Sequence, residues 1–294
     1  MNYKRFISSD TNVVKFVFEW KDAIAEAVLY RYNSYKNRTV ICCSVQSGCP
    51  VGCKFCGTGK FFIRNLSSDE IVQQVKTVLS TIDCETEEIE KFQIMFMSMG
   101  EPFLNYKELK FAIHKLAREY KNAQLLVSTS APTSMYKFIG DFISLSKIYS
   151  QIGLQFSVHE STDDARKRLI PTNTCTLRQI VAIGELWASF TGRKPFYNYC
   201  VHADNSHESD ADILIKLFNP DVWETTLSVI CEKDESVKSS ISRQLELIKD
   251  FSNLMIIRGA SLRVFNPAGQ DDIGGGCGQL WYFQEWLKNR KKKK

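Results

Sequence analysis

TVICCSVQSGCPVGCKFC, residues 39–56, runs from a β-branched apolar stretch directly into a loop holding Cys49, Cys53 and Cys56 at the spacing C-x3-C-x2-C. The first half reads as a buried strand. Similar runs recur at FQIMFMS (92–98), AQLLVSTS (123–130), IGLQFSV (152–158), FYNYCV (196–201) and TTLSVI (225–230). They lack strict alternation of apolar and polar residues, which suits parallel strands covered on both faces. Helical patterns lie between them. Ser67 and Glu70 form a capping box ahead of Ile71, Val75, Val78, Leu79 and Ile82, and Val237, Ile241, Leu245, Ile248 and Phe251 make a second apolar stripe. Six successive β-then-α units predict an α/β fold, a partial (βα)6 TIM-type barrel with right-handed crossovers. In such barrels the chemistry sits where strands end and loops begin, and the cysteine loop follows the first strand.

Ahead of the barrel, VKFVFEW (14–20) and AIAEAVLYRY (23–32) predict an antiparallel hairpin turning near Lys21 and Asp22. The expected organisation is an N-terminal β extension (1–38), a barrel carrying a C-terminal cysteine loop (39–287) and a basic tail (288–294). No repeat or low-complexity linker interrupts it.

Ten cysteines in 294 residues are too sparse for a disulfide-stapled secreted chain, so reduced thiols are expected. MNYKRFISSD has no apolar signal core, and no apolar run approaches the ~20 residues of a spanning helix. A soluble cytoplasmic protein without a membrane partner is therefore expected. The net charge of +5 is concentrated at one end, since six positive charges lie within the last seven residues, KNRKKKK. The remainder is close to neutral. The tail is either a solvated end or a salt-sensitive contact to RNA phosphates.

Three thiols on one loop admit few uses. A structural zinc site wants four ligands, usually in two separated pairs, and no second C-x2-C exists. A redox pair needs only Cys53 and Cys56. A 4Fe-4S cluster held by three thiolates leaves one iron open for a substrate or cofactor, and it employs all three. Other stretches sit at strand ends. Met99-Gly100-Glu101-Pro102 offers a close backbone approach and a carboxylate; Ser128-Thr129-Ser130 and Ser157-Val158-His159 offer hydroxyls, backbone groups and an imidazole. Cys277 follows Gly274, Gly275 and Gly276 and precedes Gly278, so its loop has little conformational preference of its own.

The blocks CSVQSGCPVGCKFCGTGKFFIRNLS (43–67), MSMGEP (97–102), VSTS (127–130), SVHEST (157–162) and DDIGGGCGQL (271–280), in that order, resemble the RlmN and Cfr class of radical S-adenosylmethionine (SAM) RNA methyltransferases. The resemblance implies a 4Fe-4S cluster on Cys49, Cys53 and Cys56, and SAM bound by Gly100, Glu101, Ser128, Ser157, Val158 and His159. It further implies that Cys277 takes a methyl group from one SAM, and that a 5'-deoxyadenosyl radical from a second SAM activates this S-methyl for addition to an adenine carbon. Carbons 2 and 8 of adenine are electron-poor sp2 centres that do not attack a SAM methyl directly, whereas a thiolate does. By the same resemblance Cys42 resolves the covalent adduct and leaves a disulfide with Cys277, and Glu26 is the proton acceptor. Cys43 competes with Cys42, although alternation along a strand turns it the other way. Glu26 competes with a plain surface charge. The implied substrate is an adenosine of ribosomal or transfer RNA, methylated at carbon 2. An external electron donor such as a flavodoxin or ferredoxin is the implied partner.

The chain also departs from that class. Only 48 residues precede Cys49, where the class carries a helical domain that grips RNA. SVICEKDE (228–235) stands where the class has an Asn-Pro contact to SAM, and Asn266-Pro267 lies much nearer Cys277, so that contact is not carried over. Three glycines before Cys277 replace bulkier residues and imply a differently shaped pocket. Two alternatives follow: the same radical chemistry on a smaller or non-RNA substrate, or a non-enzymatic iron-sulfur protein that binds nucleic acid through its lysine tail. His114, His202, His207, Cys84, Cys175, Cys200 and Cys231 show no ligand spacing.

Overall fold

The structure, a computed structural model, describes residues 1–59, 61–229, 237–265 and 273. The described chain divides into two compact units, one built from residues 1–52 and 56–127, the other from 53–55 and 128–265.

The first unit opens with three antiparallel strands, β1 (Asn2–Ile7), β2 (Val13–Glu19) and β3 (Ile24–Tyr32). The β2–β3 turn closes where the Trp20 amide donates to the Ala23 carbonyl at 2.9 Å. This is the predicted hairpin. β1 is an addition that the sequence pattern hides, because its residues are almost all exposed. β3 pairs antiparallel with β4 (Arg38–Cys43), and a short hairpin, β5 (Gln46–Gly48) with β6 (Phe62–Asn65), flanks the cysteine loop. The chain then alternates through α1 (Ser68–Leu79), β7 (Lys91–Phe96), α2 (Tyr106–Glu119) and β8 (Ala123–Thr129), whose last residues enter the second unit. β4, β7 and β8 run parallel. α1 starts as predicted: the Glu70 amide donates to Ser67 Oγ at 3.2 Å and the Ser67 amide to Glu70 Oε2 at 2.8 Å. Such a cap contributes about 1 kcal/mol.

The second unit continues the alternation with α3 (Ile139–Ile148), β9 (Ile152–Ser157), α4 (Asp163–Leu169), α5 (Leu177–Thr191), β10 (Phe196–Val201), α6 (Glu208–Leu217), β11 (Glu224–Val229), α7 (Val237–Ile257) and β12 (Leu262–Phe265). Strands β9 to β12 are parallel neighbours in chain order. All six predicted barrel strands are present, and β12 is a seventh parallel strand too short to announce itself. The core gathers Phe156, Tyr197, Phe218 and Trp223, with Tyr197 stacked on Phe218 at 4.4 Å between ring centres. Gly184 on α5 lies under the Trp223 ring, which occupies the space a β-carbon would need. Among the described residues no helix is long and apolar enough to cross a membrane.

Candidate active site

Strand register decides which side chains of the first unit share a face. Val28 on β3 stands opposite Cys42 on β4, Cys42 opposite Met95 on β7, and Met95 opposite Leu126 on β8. With side chains alternating along each strand, Glu26 lies on this face too, one step further along β3. Cys43 lies on the other, with Ile41, Ile94 and Phe96, all completely buried. Burial pushes the Cys43 thiol up to about 12, which leaves it inert, whereas Cys42 retains some exposure. Glu26 is no surface charge: it is fully buried, and its carboxylate lies 3.6 Å from the ammonium of Lys15 on β2, itself buried. The Glu26 carbonyl accepts hydrogen bonds from Ser44 Oγ and Ser98 Oγ, both at 2.6 Å.

The chain between β4 and the cysteines is braced by buried amides. Gln74 on α1 bonds both backbone groups of Ser44, at 3.0 Å each. Asn105 Nδ2 donates to the carbonyls of Val45 (2.7 Å) and Leu66 (2.8 Å). Gln46 donates to Asn65 Oδ1 at 2.8 Å and accepts from the Glu101 amide at 2.8 Å. Gly100 is required here. Its φ is +95°, and a β-carbon would come within 2.5 Å of Gln46 Cβ. Glu101 is buried, and its Oε1 accepts from the Phe103 amide at 3.1 Å, capping the turn Pro102–Leu104.

On the loop itself the Cys49 amide donates to the Phe61 carbonyl at 2.7 Å, and Cys56 Sγ lies 3.0 Å from Thr58 Oγ1. Cys49 is buried while Cys53 and Cys56 are half-buried. Desolvation pushes the Cys49 thiol up to about 12, and the nearby Cys56 and Glu101 push the same way against the backbone amides of Val51 and Gly100. A thiol so placed ionises only against strong positive charge, which is what iron supplies. Among the described residues no three His, Cys, Asp or Glu side chains converge as a single metal ion would demand. A cubane cluster has no such demand, since its three cysteines bind three different irons. The donor set fits a 4Fe-4S cluster.

In the second unit the expected cofactor contacts are fixed by backbone groups, neutral side chains and one guanidinium. Gln155 donates to Ser128 Oγ at 3.1 Å. The amides of Val158 and His159 both reach the Asn198 carbonyl, at 3.0 and 3.2 Å. His159 has a φ of +63°, is buried, and meets the Phe55 ring edge-on at 5.1 Å. The Cys200 amide donates to His159 Nδ1 at 3.2 Å, which leaves Nε2 as the protonated nitrogen. Burial, seconded by Arg166 and His202, pushes the imidazole down to about 3, so it is neutral across the working range. Arg166 on α4 was not singled out by sequence. Its buried guanidinium donates to the carbonyls of Ser130 (2.7 Å), Ser157 (3.0 Å) and Cys175 (3.1 Å) and to Thr174 Oγ1 (2.8 Å), tying the ends of β8 and β9 together. His202 is a local brace, with Nε2 3.0 Å from Glu160 Oε1. Cys277, its glycines, Asn266-Pro267, Cys231 and the lysine tail lie outside the described residues.

No family model matches the chain. Individual relatives do. A protein of Dictyoglomus turgidum named probable dual-specificity RNA methyltransferase RlmN is 31% identical over 288 residues, covering 97% of this chain and 79% of its own length. The ribosomal RNA large subunit methyltransferase N of Nitrosopumilus maritimus is likewise 31% identical, over 94% and 79% of the two chains. Among solved structures, a radical SAM methyltransferase from Sphaerobacter thermophilus superposes with a TM-score of 0.74 at 26% identity, covering 94% of this chain and 79% of that one.

Proposed function

Because this chain belongs to the RlmN family of radical SAM RNA methyltransferases, we propose that it methylates carbon 2 of an adenosine in ribosomal or transfer RNA, through a methyl group carried on Cys277. Membership makes it an enzyme with the α/β radical SAM fold, a 4Fe-4S cluster and SAM. The observation that best supports the finer reading is the shared face of Glu26 and Cys42, with Cys43 turned away and buried.

Residues 39–287 form the catalytic barrel in this reading. Cys49, Cys53 and Cys56 hold the cluster as thiolates. Gly100 and Glu101, with Ser128, Ser157, Val158 and His159, hold SAM; the glycine admits the ligand close to the backbone. Cluster and SAM together supply a transferable methyl and a 5'-deoxyadenosyl radical. The Cys277 thiolate would take the methyl of one SAM as a thioether, leaving S-adenosylhomocysteine; the methyl carbon would then give a hydrogen atom to the 5'-deoxyadenosyl radical and bond to the adenine ring carbon. Glu26, as carboxylate, would accept the proton that leaves the ring carbon, and the single electron released with it would return to the iron-sulfur cluster, leaving a closed-shell thioether. The Cys42 thiolate then attacks the Cys277 sulfur. The sulfur-carbon bond breaks, its electron pair stays with the carbon, and that carbon takes up a proton to finish as a methyl group. Cys42 and Cys277 end as a disulfide that a thiol reductant must reopen. A flavodoxin or ferredoxin serves as electron donor to the cluster. The adenine must be splayed from its stack, which favours a loop in folded RNA. The eight described cysteines are all thiols, which supports a reducing, cytoplasmic setting.

Cys277→Ala tests the reading. RNA methylation is expected to vanish while iron content and SAM cleavage persist; methylation surviving in that variant contradicts it.

A further inference from the structure

Lys15 has no role in the reaction as described so far, yet its side chain is buried in the first unit. Glu26 is completely enclosed on β3, and a carboxyl in such a place loses its hydration and favours the neutral acid. A neutral acid accepts no proton. The Lys15 ammonium, 3.6 Å away and with a side chain only 6% exposed, is a charge that opposes this preference. We propose that Lys15 is a positioning residue for the proton-accepting step: it holds Glu26 in its charged form and aims the carboxylate along the face that carries Cys42. The inference rests on Glu26 being the base.

The register makes Lys15 suited to this. Lys15 stands opposite Val28 on β3, and Val28 opposite Cys42 on β4, so Lys15, Val28 and Cys42 form one row across the sheet. Glu26 sits in the adjacent row, opposite Val17. The ion pair therefore runs diagonally between β2 and β3 within the face of the resolving thiol. The Lys15 ammonium also lies 5.7 Å from the centre of the Phe6 ring on β1, which shields it from water. Among the described residues the register also puts Tyr30 and Tyr32 of β3 and Arg38 of β4 on this face, further along the strands from Glu26. β4 contributes Cys42. β1 contributes Lys4, which is exposed and paired with Glu19 at 3.4 Å. α1 packs against β3 and β4 with no ionisable residue on its buried side. Ser44 and Ser98 meet the Glu26 backbone carbonyl and carry no charge.

The test reads Glu26 itself. Isotope-edited infrared spectra of the full chain with carbon-13 glutamate, titrated over pH and referenced to Glu26→Gln, report the carboxylate directly without cluster or RNA. In parallel, single-turnover methyl transfer by the reconstituted enzyme to in vitro transcribed large-subunit ribosomal RNA is followed over the same pH range. In Lys15→Met the Glu26 titration is expected to move up by at least one pH unit, and the acidic limb of transfer to move with it, slowing transfer about tenfold at the foot of the limb. Methylation of Cys277 should change less than twofold. Lys15→Arg should return both curves to their wild-type positions. Should Lys15→Met fail to fold, Lys15→Gln gives the same reading with a polar head retained. An unmoved Glu26 titration overturns the inference. A titration that moves without the transfer profile, or full transfer in Glu26→Gln, overturns the base assignment and this inference with it.

Discussion

The two units of the chain handle charge in opposite ways. The first buries ionisable groups that are costly to hide: Glu26 against Lys15, and Cys49 with a thiol driven up to about 12. The second buries His159 as a neutral ring and spends the enclosed guanidinium of Arg166 largely on backbone carbonyls. In the proposed reading the first unit carries groups whose protonation state matters, Glu26 and Cys42, while the second sets backbone groups of Ser157, Val158 and His159 for SAM. Charge placement, more than fold, separates the two tasks, since both units are made of the same β-then-α repeat.

The largest expected effect lies in the reactive unit. Cys42→Ala should abolish turnover while leaving Cys277 methylation intact, and should trap a covalent protein-RNA adduct visible as a mass increase in denaturing gels. Release of methylated RNA at the normal rate would remove Cys42 from the mechanism and blur the contrast between the units. Next comes Arg166→Met in the holding unit. Loss of its backbone clamp should weaken SAM binding at least tenfold in equilibrium dialysis with a smaller loss of cluster iron, because its acceptors Ser130, Ser157, Thr174 and Cys175 lie off the cysteine loop. Equal loss of iron would show that holding and reactivity are not separable.

Two smaller effects sharpen the same contrast through stability. Gly184→Ala places a methyl into the Trp223 ring and should cost about 1–3 kcal/mol in urea unfolding. Its cost should appear as lost stability rather than as a changed pH profile of methyl transfer. His159 contributes a pH dependence whose sign follows from its depressed pKa. Below its ordinary value of 6.5 the unfolded chain takes up a proton that the folded chain refuses until about 3. Stability from this group is therefore complete above pH 6.5 and falls by up to about 1.4 kcal/mol per pH unit across that window. His159→Gln should flatten this part of the stability curve.

Much of this was legible in the sequence because it was local. The barrel strands announced themselves as β-branched runs, α1 by the Ser67–Glu70 cap, and the cluster site by three cysteines on one loop. Cys42 was picked out by the family resemblance, and alternation along the strand turned its competitor Cys43 the other way. The rest depends on partners distant in the chain. Lys15 inside VKFVFEW reads as a solvent-facing charge until the register of β2 and β3 brings it to Glu26. Arg166 in DDARKRL reads as part of an exposed basic helix, since its acceptors at Ser130, Ser157 and Cys175 lie on other elements. β5, β6 and β12 span only three or four residues each, too few to show a period. Phe61 and Phe62 are substantially exposed, which no pattern in the sequence announces.

The most direct measurement is peptide mass spectrometry of the protein reconstituted anaerobically with iron, sulfide and SAM. The account predicts one added methyl group on the peptide containing Cys277, formed with Cys42 still a thiol. SAM cleavage without any methyl on Cys277 would contradict it.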